Sequence, residues 1–143
     1  MSKIGLGGWV LVAFLGACAP LAPSPHETQA VRVEGTPGMA VIYLVRPSPD
    51  LSYLPATIVL DDQLIGSTHA GTYYRLEVPP GRHRIRGYAH DTGAITVDVQ
   101  ADRIYFVRHS VSGSWRATNP YSFFEMMDEA RARAAMVGAV RAG

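Results

Sequence analysis

Residues 40–45 read Ala40-Val41-Ile42-Tyr43-Leu44-Val45, an unbroken apolar run that stops at Arg46-Pro47. A continuous β-prone run of this kind, closed by a proline that removes a ladder donor, reads as a buried first strand. Downstream the pattern becomes alternation. Ala56 to Leu60 and Gln63 to Ser67 flank Asp61-Asp62, a pair suited to a tight turn, and so predict a hairpin. Tyr74, Leu76 and Val78 alternate with Arg75 and Glu77, and Pro79-Pro80-Gly81 ends that strand. Arg82 to Ala89 and Ile95 to Val99 follow. After Ala101-Asp102-Arg103 comes Ile104 to Ser110. About seven short strands separated by Gly, Pro and Asp at intervals of roughly 8 to 12 residues predict a mainly β protein, an antiparallel β-sandwich or barrel. No strand alternates with a helix, which argues against a parallel α/β fold.

The tail reads differently. Ser122-Phe123-Phe124-Glu125 has the spacing of a capping box, and Asp128 and Glu129 precede Arg131, Arg133 and Arg141 in the order a helix dipole favours. A helix from about Phe123 to Val140 is expected. Its apolar positions Phe123, Met127, Ala130, Ala134, Val137 and Val140 share a stripe that suits docking on the sheet, with a partner helix or a membrane surface as alternatives.

Ahead of the sheet the chain carries an address. Residues 1–18, MSKIGLGGWVLVAFLGAC, join one positive charge at Lys3 to an apolar stretch from Ile4 to Phe14 and the small residues Gly16 and Ala17 before Cys18. The apolar stretch is shorter than the roughly 20 residues of a spanning helix and has the form of a secretion signal. Leu15-Gly16-Ala17-Cys18 resembles the bacterial lipobox, which implies removal of a signal peptide at 1–17 and lipidation of Cys18 at the mature N-terminus. Cys18 is the sole cysteine, so no disulfide competes for its thiol. The resemblance implies membrane attachment through acyl chains, preferably in the outer membrane facing the periplasm, because Ala19 lacks the aspartate associated with inner-membrane retention. The inner membrane and the cell surface stay open as alternatives.

From Ala19 to about Gly38 the composition is proline-rich and polar, which reads as a semi-extended tether. Val31-Arg32-Val33 is the one place in it with strand alternation. The expected layout is signal peptide 1–17, lipidated cysteine and tether 18–38, β-domain 39–121 and C-terminal helix 122–143.

The 143 residues are 48% hydrophobic and 17% charged, with a formal net charge of +1. Lys3 is the only lysine, so cleavage leaves twelve arginines against twelve acids and a net charge of zero. One domain of this size buries a core without metal or disulfide staples, and a near-neutral chain without blocks of one charge argues against nucleic acid as a partner.

Several motifs, taken in order, resemble a known family. They are Ala40, Tyr43, Arg46 and Pro47 in an A-x-x-Y-x-x-R-P strand, Gly66 in the hairpin, Gly71-Thr72-Tyr73, Val78-Pro79-Pro80-Gly81-Arg82-His83, and Ile104-Tyr105-Phe106-Val107. Together they are similar to domain-of-unknown-function family 2846, found in small bacterial lipoproteins, over about Met39 to Ser110. The P-G-x-H element also resembles PEGA-type β-sandwiches. Asp102 departs from the pattern, standing where such domains often place a turn glycine; aspartate tolerates that turn. The family implies no activity.

Candidate sites are correspondingly few. Arg82, Arg84 and Arg86 share one face of a strand and form either a cationic ladder for phosphate or acidic partners, or a solvated face paired with Glu77 or Asp98. Tyr73, Tyr88, Tyr105 and Trp115 offer stacking surfaces for sugar or peptide, or pack at the core and rim. The segment Ser112 to Tyr121 has the composition of a binding loop. His83 reads as a histidine that fixes a turn, and His90-Asp91 as a polar turn. Neither recurs with Cys, His or carboxylate at metal-ligand spacing, so no metal or cofactor is expected. Ser110, His109 and Asp102 hold the atom types of a hydrolase, but adjacent strand residues point to opposite faces. The preferred reading is a non-enzymatic lipoprotein acting through contacts with an envelope protein. A glycan or peptidoglycan module and a hydrolase or metal protein are the alternatives.

Overall fold

The computed structural model describes residues 31–114 and 120–143. Cys18, the signal segment, most of the tether and Trp115 lie outside them. Nine strands and one helix follow in the order β1 (Ala40–Arg46), β2 (Ala56–Leu60), β3 (Gln63–Thr68), β4 (Thr72–Val78), β5 (Gly81–Gly87), β6 (Ala94–Val99), β7 (Ile104–Ser112), β8 (Tyr121–Met127), α1 (Glu129–Ala135) and β9 (Val140–Arg141). They build a β-sandwich: a five-stranded sheet β8-β7-β1-β4-β9 faces a four-stranded sheet β3-β2-β5-β6.

β1 is the central strand of the larger sheet and is buried along its whole length. Its even-numbered residues Ala40, Ile42 and Leu44 join Ile58, Leu76, Ile85, Val97 and Val107 in the core between the sheets. Its odd-numbered residues Val41, Tyr43 and Val45 enter a second cluster on the outer face, with Phe106 and with Ala132 and Met136 from the helical segment. Two-sided burial explains why the run has no polar alternation.

The larger sheet is not purely antiparallel, whereas the smaller one is. β1 runs parallel to β7, with Val45 opposite Arg108, and β4 runs parallel to β9, with Tyr73 opposite Arg141. Period-2 alternation fixes which face a residue occupies and carries no information about strand direction, so the sequence could not distinguish these pairings.

The C-terminal helix is present but covers only Glu129–Ala135, with Asp128 as its N-cap accepting the Arg131 N–H. The expected start at Phe123 is corrected: Ser122 to Glu125 lie within β8, paired with β7. Capping-box spacing is a local signal, and cross-strand pairing of an aromatic stretch outweighs it here. Val140 likewise belongs to an edge strand. The end of the expected tether also packs on the domain. Val31 and Val33 lie against the outer cluster, and the Glu34 N–H donates to the Tyr43 hydroxyl at 2.9 Å.

Two turns follow the sequence reading closely. Asp61 and Asp62 have φ of 47° and 66°, the left-handed pair that a two-residue hairpin requires, and Asp102 has φ of 58°. Gly66 is needed for space: a Cβ there would stand 2.5 Å from the Tyr74 hydroxyl oxygen, which donates to the Ser67 carbonyl.

Candidate functional site

Strand register brings four loops to one end of the sandwich. Arg46 lies opposite Thr72, Ala56 opposite Thr68, Ile58 opposite Gly87, and Ser112 opposite Tyr121. The connections 47–55, 69–71 and 88–93, with Gly113, Ser114 and Pro120, therefore share that end. The turns at Asp61-Asp62, Pro79-Pro80 and Ala101–Arg103 occupy the other.

The loop end is apolar and aromatic at its surface. Tyr53 is 82% exposed and Leu51 73%, with Tyr88, Tyr121 and Phe123 each about half exposed. Tyr121 and Phe123 meet edge to face at 4.9 Å. Two hollows indent this end. One is lined by Leu51, Tyr53 and Leu54 against Gly113 and Ser114, and another of about 280 Å³ lies among Pro55, Thr57, Tyr88, His90 and Pro120. The described parts of these loops contain two carboxylates, Asp50 and Asp91, and both point inward. Among the described residues of these loops the large exposed apolar groups stand without an exposed carboxylate or arginine beside them.

Beneath the loops lies a buried polar network. The even-residue parity of β1 sends Arg46 inward at the strand's end, where its side chain has no exposure. Its Nε donates to Asp50 Oδ2 at 2.6 Å, Nη2 to the Ser52 carbonyl at 2.6 Å and Nη1 to the Thr68 carbonyl at 3.1 Å. Asp50 Oδ2 also accepts the Val111 N–H at 3.0 Å, which ties the 47–55 loop to β7. Asp91 Oδ1 accepts the N–H groups of Gly93 and Ser122 at 3.1 and 2.9 Å, which ties the 88–93 loop to β8. His109 joins the halves: Nδ1 is 3.0 Å from Thr68 Oγ1, Nε2 is 2.8 Å from Ser122 Oγ, and the ring stacks on Phe124 at 4.7 Å. Burial, reinforced by the Arg46 charge, lowers the His109 pKa to about 4, with Asp50 and Asp91 opposing only in part. The ring is neutral near pH 7 and takes one hydroxyl as donor and the other as acceptor. Asp50 Oδ1 and Asp91 Oδ2 are buried without a partner among the described residues. Holding carboxylates this way is costly, and what it secures is the fixed position of two loops.

The structure separates most of the sequence-derived candidates. Arg82, Arg84 and Arg86 lie on the outward face of β5 in the smaller sheet. Arg82 pairs with Asp98 at 3.4 Å and Arg86 with Asp62 at 3.3 Å, so the ladder is largely a solvated, paired face. Glu77 instead pairs with Arg75. Tyr73 stacks on Tyr43 at 6.1 Å on the outer face of the larger sheet, away from Tyr88 in the 88–93 loop. Tyr105 packs against the core, and its hydroxyl accepts the Gln100 N–H.

His83 fixes the corner between the sheets, with its ring nitrogens on Asp61 Oδ2 and the Pro79 carbonyl. Burial opposes its charged form. The Asp61 and Pro79 hydrogen bonds and the Asp61 charge outweigh burial and raise the pKa. His109, Ser110 and Asp102 do not assemble: His109 turns toward Thr68 and Ser122, and Asp102 caps the Gly38 N–H at the opposite end. His90-Asp91 does lie at a turn, closed by the Asp91 N–H on the Tyr88 carbonyl.

Of the expected binding residues, only Tyr88 and the described ends of the 112–121 segment belong to the loop end. Leu51, Tyr53 and the inward roles of Arg46, Asp50 and Asp91 were not apparent in the sequence. One signal was available, an arginine closing an otherwise apolar buried strand with a carboxylate four residues on. A search of curated proteins finds no match. The family model for proteins of unknown function DUF2846 matches residues 36–120, which span the sandwich from the approach to β1 through the 113–120 loop, and the chain belongs to that family.

Proposed function

We propose that this protein is a lipid-anchored, periplasm-facing lipoprotein of the cell envelope that works without catalysis, by docking an envelope protein on the loop end of its sandwich. The anchor rests on Leu15-Gly16-Ala17-Cys18. Twelve residues separate Cys18 from Val31, enough chain to span about 40 Å when extended. The observation that carries the docking reading is the exposed apolar surface of Leu51, Tyr53, Tyr88 and Tyr121, which has no exposed carboxylate or arginine among the described loop residues and lies at the end that Asp50 and Asp91 hold from below. Preorganised aromatic side chains favour association because little conformational freedom is lost on binding. A glycan or peptidoglycan-fragment module is the second reading. It draws on Tyr88 beside its hollow, and it loses Tyr73 as a partner in stacking.

Two experiments test the proposal. Metabolic labelling with palmitate should mark the chain, and Cys18→Ser should abolish the label; a persistent label defeats the anchor. A photo-crosslinking residue at Tyr53 or Tyr88 in living cells should give one discrete protein adduct that Leu51→Asp removes. The same residue at Leu64, which is 62% exposed on an edge strand, should give none. Equal adducts at both ends, or none at Tyr53 and Tyr88, defeat the docking surface.

A further inference from the structure

The outer face of the larger sheet carries a second feature, unconnected with the loop end. Arg32 from the N-terminal segment, Arg75 from β4 and Arg141 from β9 line a cleft of about 310 Å³ with Glu34, Glu77, Tyr43 and Tyr73. The fold brings them together in two ways. Pairing of β9 with β4 sets Arg141 opposite Tyr73, two residues from Arg75 on the same face. The N-terminal segment crosses that face because Arg75 Nε and Nη2 donate to the Glu34 carbonyl at 3.3 and 3.2 Å.

The carboxylates in the cleft are already engaged. Glu77 takes Arg75 and accepts the Thr36 hydroxyl at 2.8 Å, and Glu34 lies 3.6 Å from Arg32. Hydrogen bonds from Arg75 and Thr36 hold the Glu77 carboxyl below its usual range, and the Arg141 charge adds to the effect. Three guanidinium groups face two carboxylates, and Arg141 makes no ion pair among the described residues. Arg75, with its side chain 16% exposed and bonded on several sides, is a fixed positive floor. Arg141 stands above it without an ion pair among the described residues, and Arg32, 87% exposed and held only by the 3.6 Å contact with Glu34, stands beside it within reach of the same ligand.

We propose that this cleft binds an oxyanion, the carboxylate or phosphate of a small ligand, between the guanidinium groups of Arg32 and Arg141, with the Tyr73 ring as its apolar wall. Planar guanidinium donors match both groups, and a nearly enclosed cation beneath them strengthens the attraction. The cleft shares no residue with the loop end, so either proposal can fail alone.

The test is a titration of the isotope-labelled protein with inorganic phosphate, and separately with acetate, at constant ionic strength while the arginine Nε–H resonances are followed. Saturable shifts at Arg32 and Arg141, several-fold larger than at Arg84 on the opposite sheet, support the site. Whichever anion saturates at lower concentration identifies the ligand group. Arg141→Gln should weaken the preferred anion about tenfold, the worth of one charged hydrogen bond. Responses equal to that of Arg84, no saturation with either anion, or unchanged affinity in Arg141→Gln overturn the proposal.

Discussion

Asp91 and Ser122 are joined across the two sheets: one carboxylate oxygen of Asp91 accepts the backbone N–H of Ser122 at 2.9 Å. Ser122 lies on β8, the last strand of the larger sheet, and no further strand is there to take this donor. The carboxylate does for that amide what a neighbouring strand would do, and in the same step fastens the Tyr88 loop.

Asp91→Ala should therefore cost more than a surface substitution. It leaves the N–H groups of Ser122 and Gly93 without their acceptor, with an expected loss of about 2–4 kcal/mol. Urea denaturation measures the loss. Amide exchange should quicken at Gly93 and Ser122 first, while amides in β1 keep their protection.

The pH dependence should carry the mark of His109. Its folded pKa of about 4 lies below the ordinary 6.5, so the unfolded chain takes up the proton first. The contribution is complete above about pH 6.5 and is lost as pH falls toward 4, by about 3 kcal/mol in all. His109→Gln, which keeps a donor and an acceptor for the two hydroxyls, should flatten this acid limb. His83 acts in the opposite sense, since its raised pKa gives stability that is present in acid and lost as pH rises through the folded value. Denaturation midpoints of His109→Gln and His83→Gln between pH 4 and 8 separate the effects.

Arg46 and Asp50 should behave as a unit. Arg46→Met strands a buried carboxylate and is expected to cost about 3–5 kcal/mol, whereas Arg46→Met with Asp50→Leu should recover part of that loss. Arg46→Lys should not substitute, because one ammonium cannot reach the Asp50 carboxylate and the Ser52 and Thr68 carbonyls in the geometry of the fork. A double-mutant cycle on denaturation free energies gives the coupling, and simple additivity would contradict it.

Gly93 is fixed by space. A Cβ there would come within 1.8 Å of the Ser122 carbonyl oxygen, so Gly93→Ala must push β8 from the 88–93 loop. A loss of about 1–3 kcal/mol is expected, as for overpacking. Gly38→Ala, with open space around the Cβ position and only its φ of 75° to oppose it, should cost about 1 kcal/mol. Thermal denaturation of the two variants tests the ranking.

Much of the fold could be read from local chemistry. The apolar run at β1, the alternation in β4 and β6, the Asp61-Asp62 hairpin and the Pro79-Pro80-Gly81 corner each follow from properties of neighbouring residues. The reading failed where distant pairing overrode a local signal. Ser122 to Glu125 has the spacing of a helix start, yet it faces Val111 to Arg108 and extends a sheet.

By itself the sequence determined that the chain holds a mainly β domain, that β1 is a buried strand, and that His83 closes a turn. These depend on hydrophobic period, on turn residues and on spacings of a few positions. Tertiary structure alone decided which polar groups meet. Asp50 and Val111 are 61 positions apart, and Asp91 and Ser122 are 31 apart. No periodicity encodes such contacts, because they arise only when separate strands reach the same end of the sandwich. Inward carboxylates and outward aromatics thus came to share one surface, and three arginines from distant segments came to share one cleft.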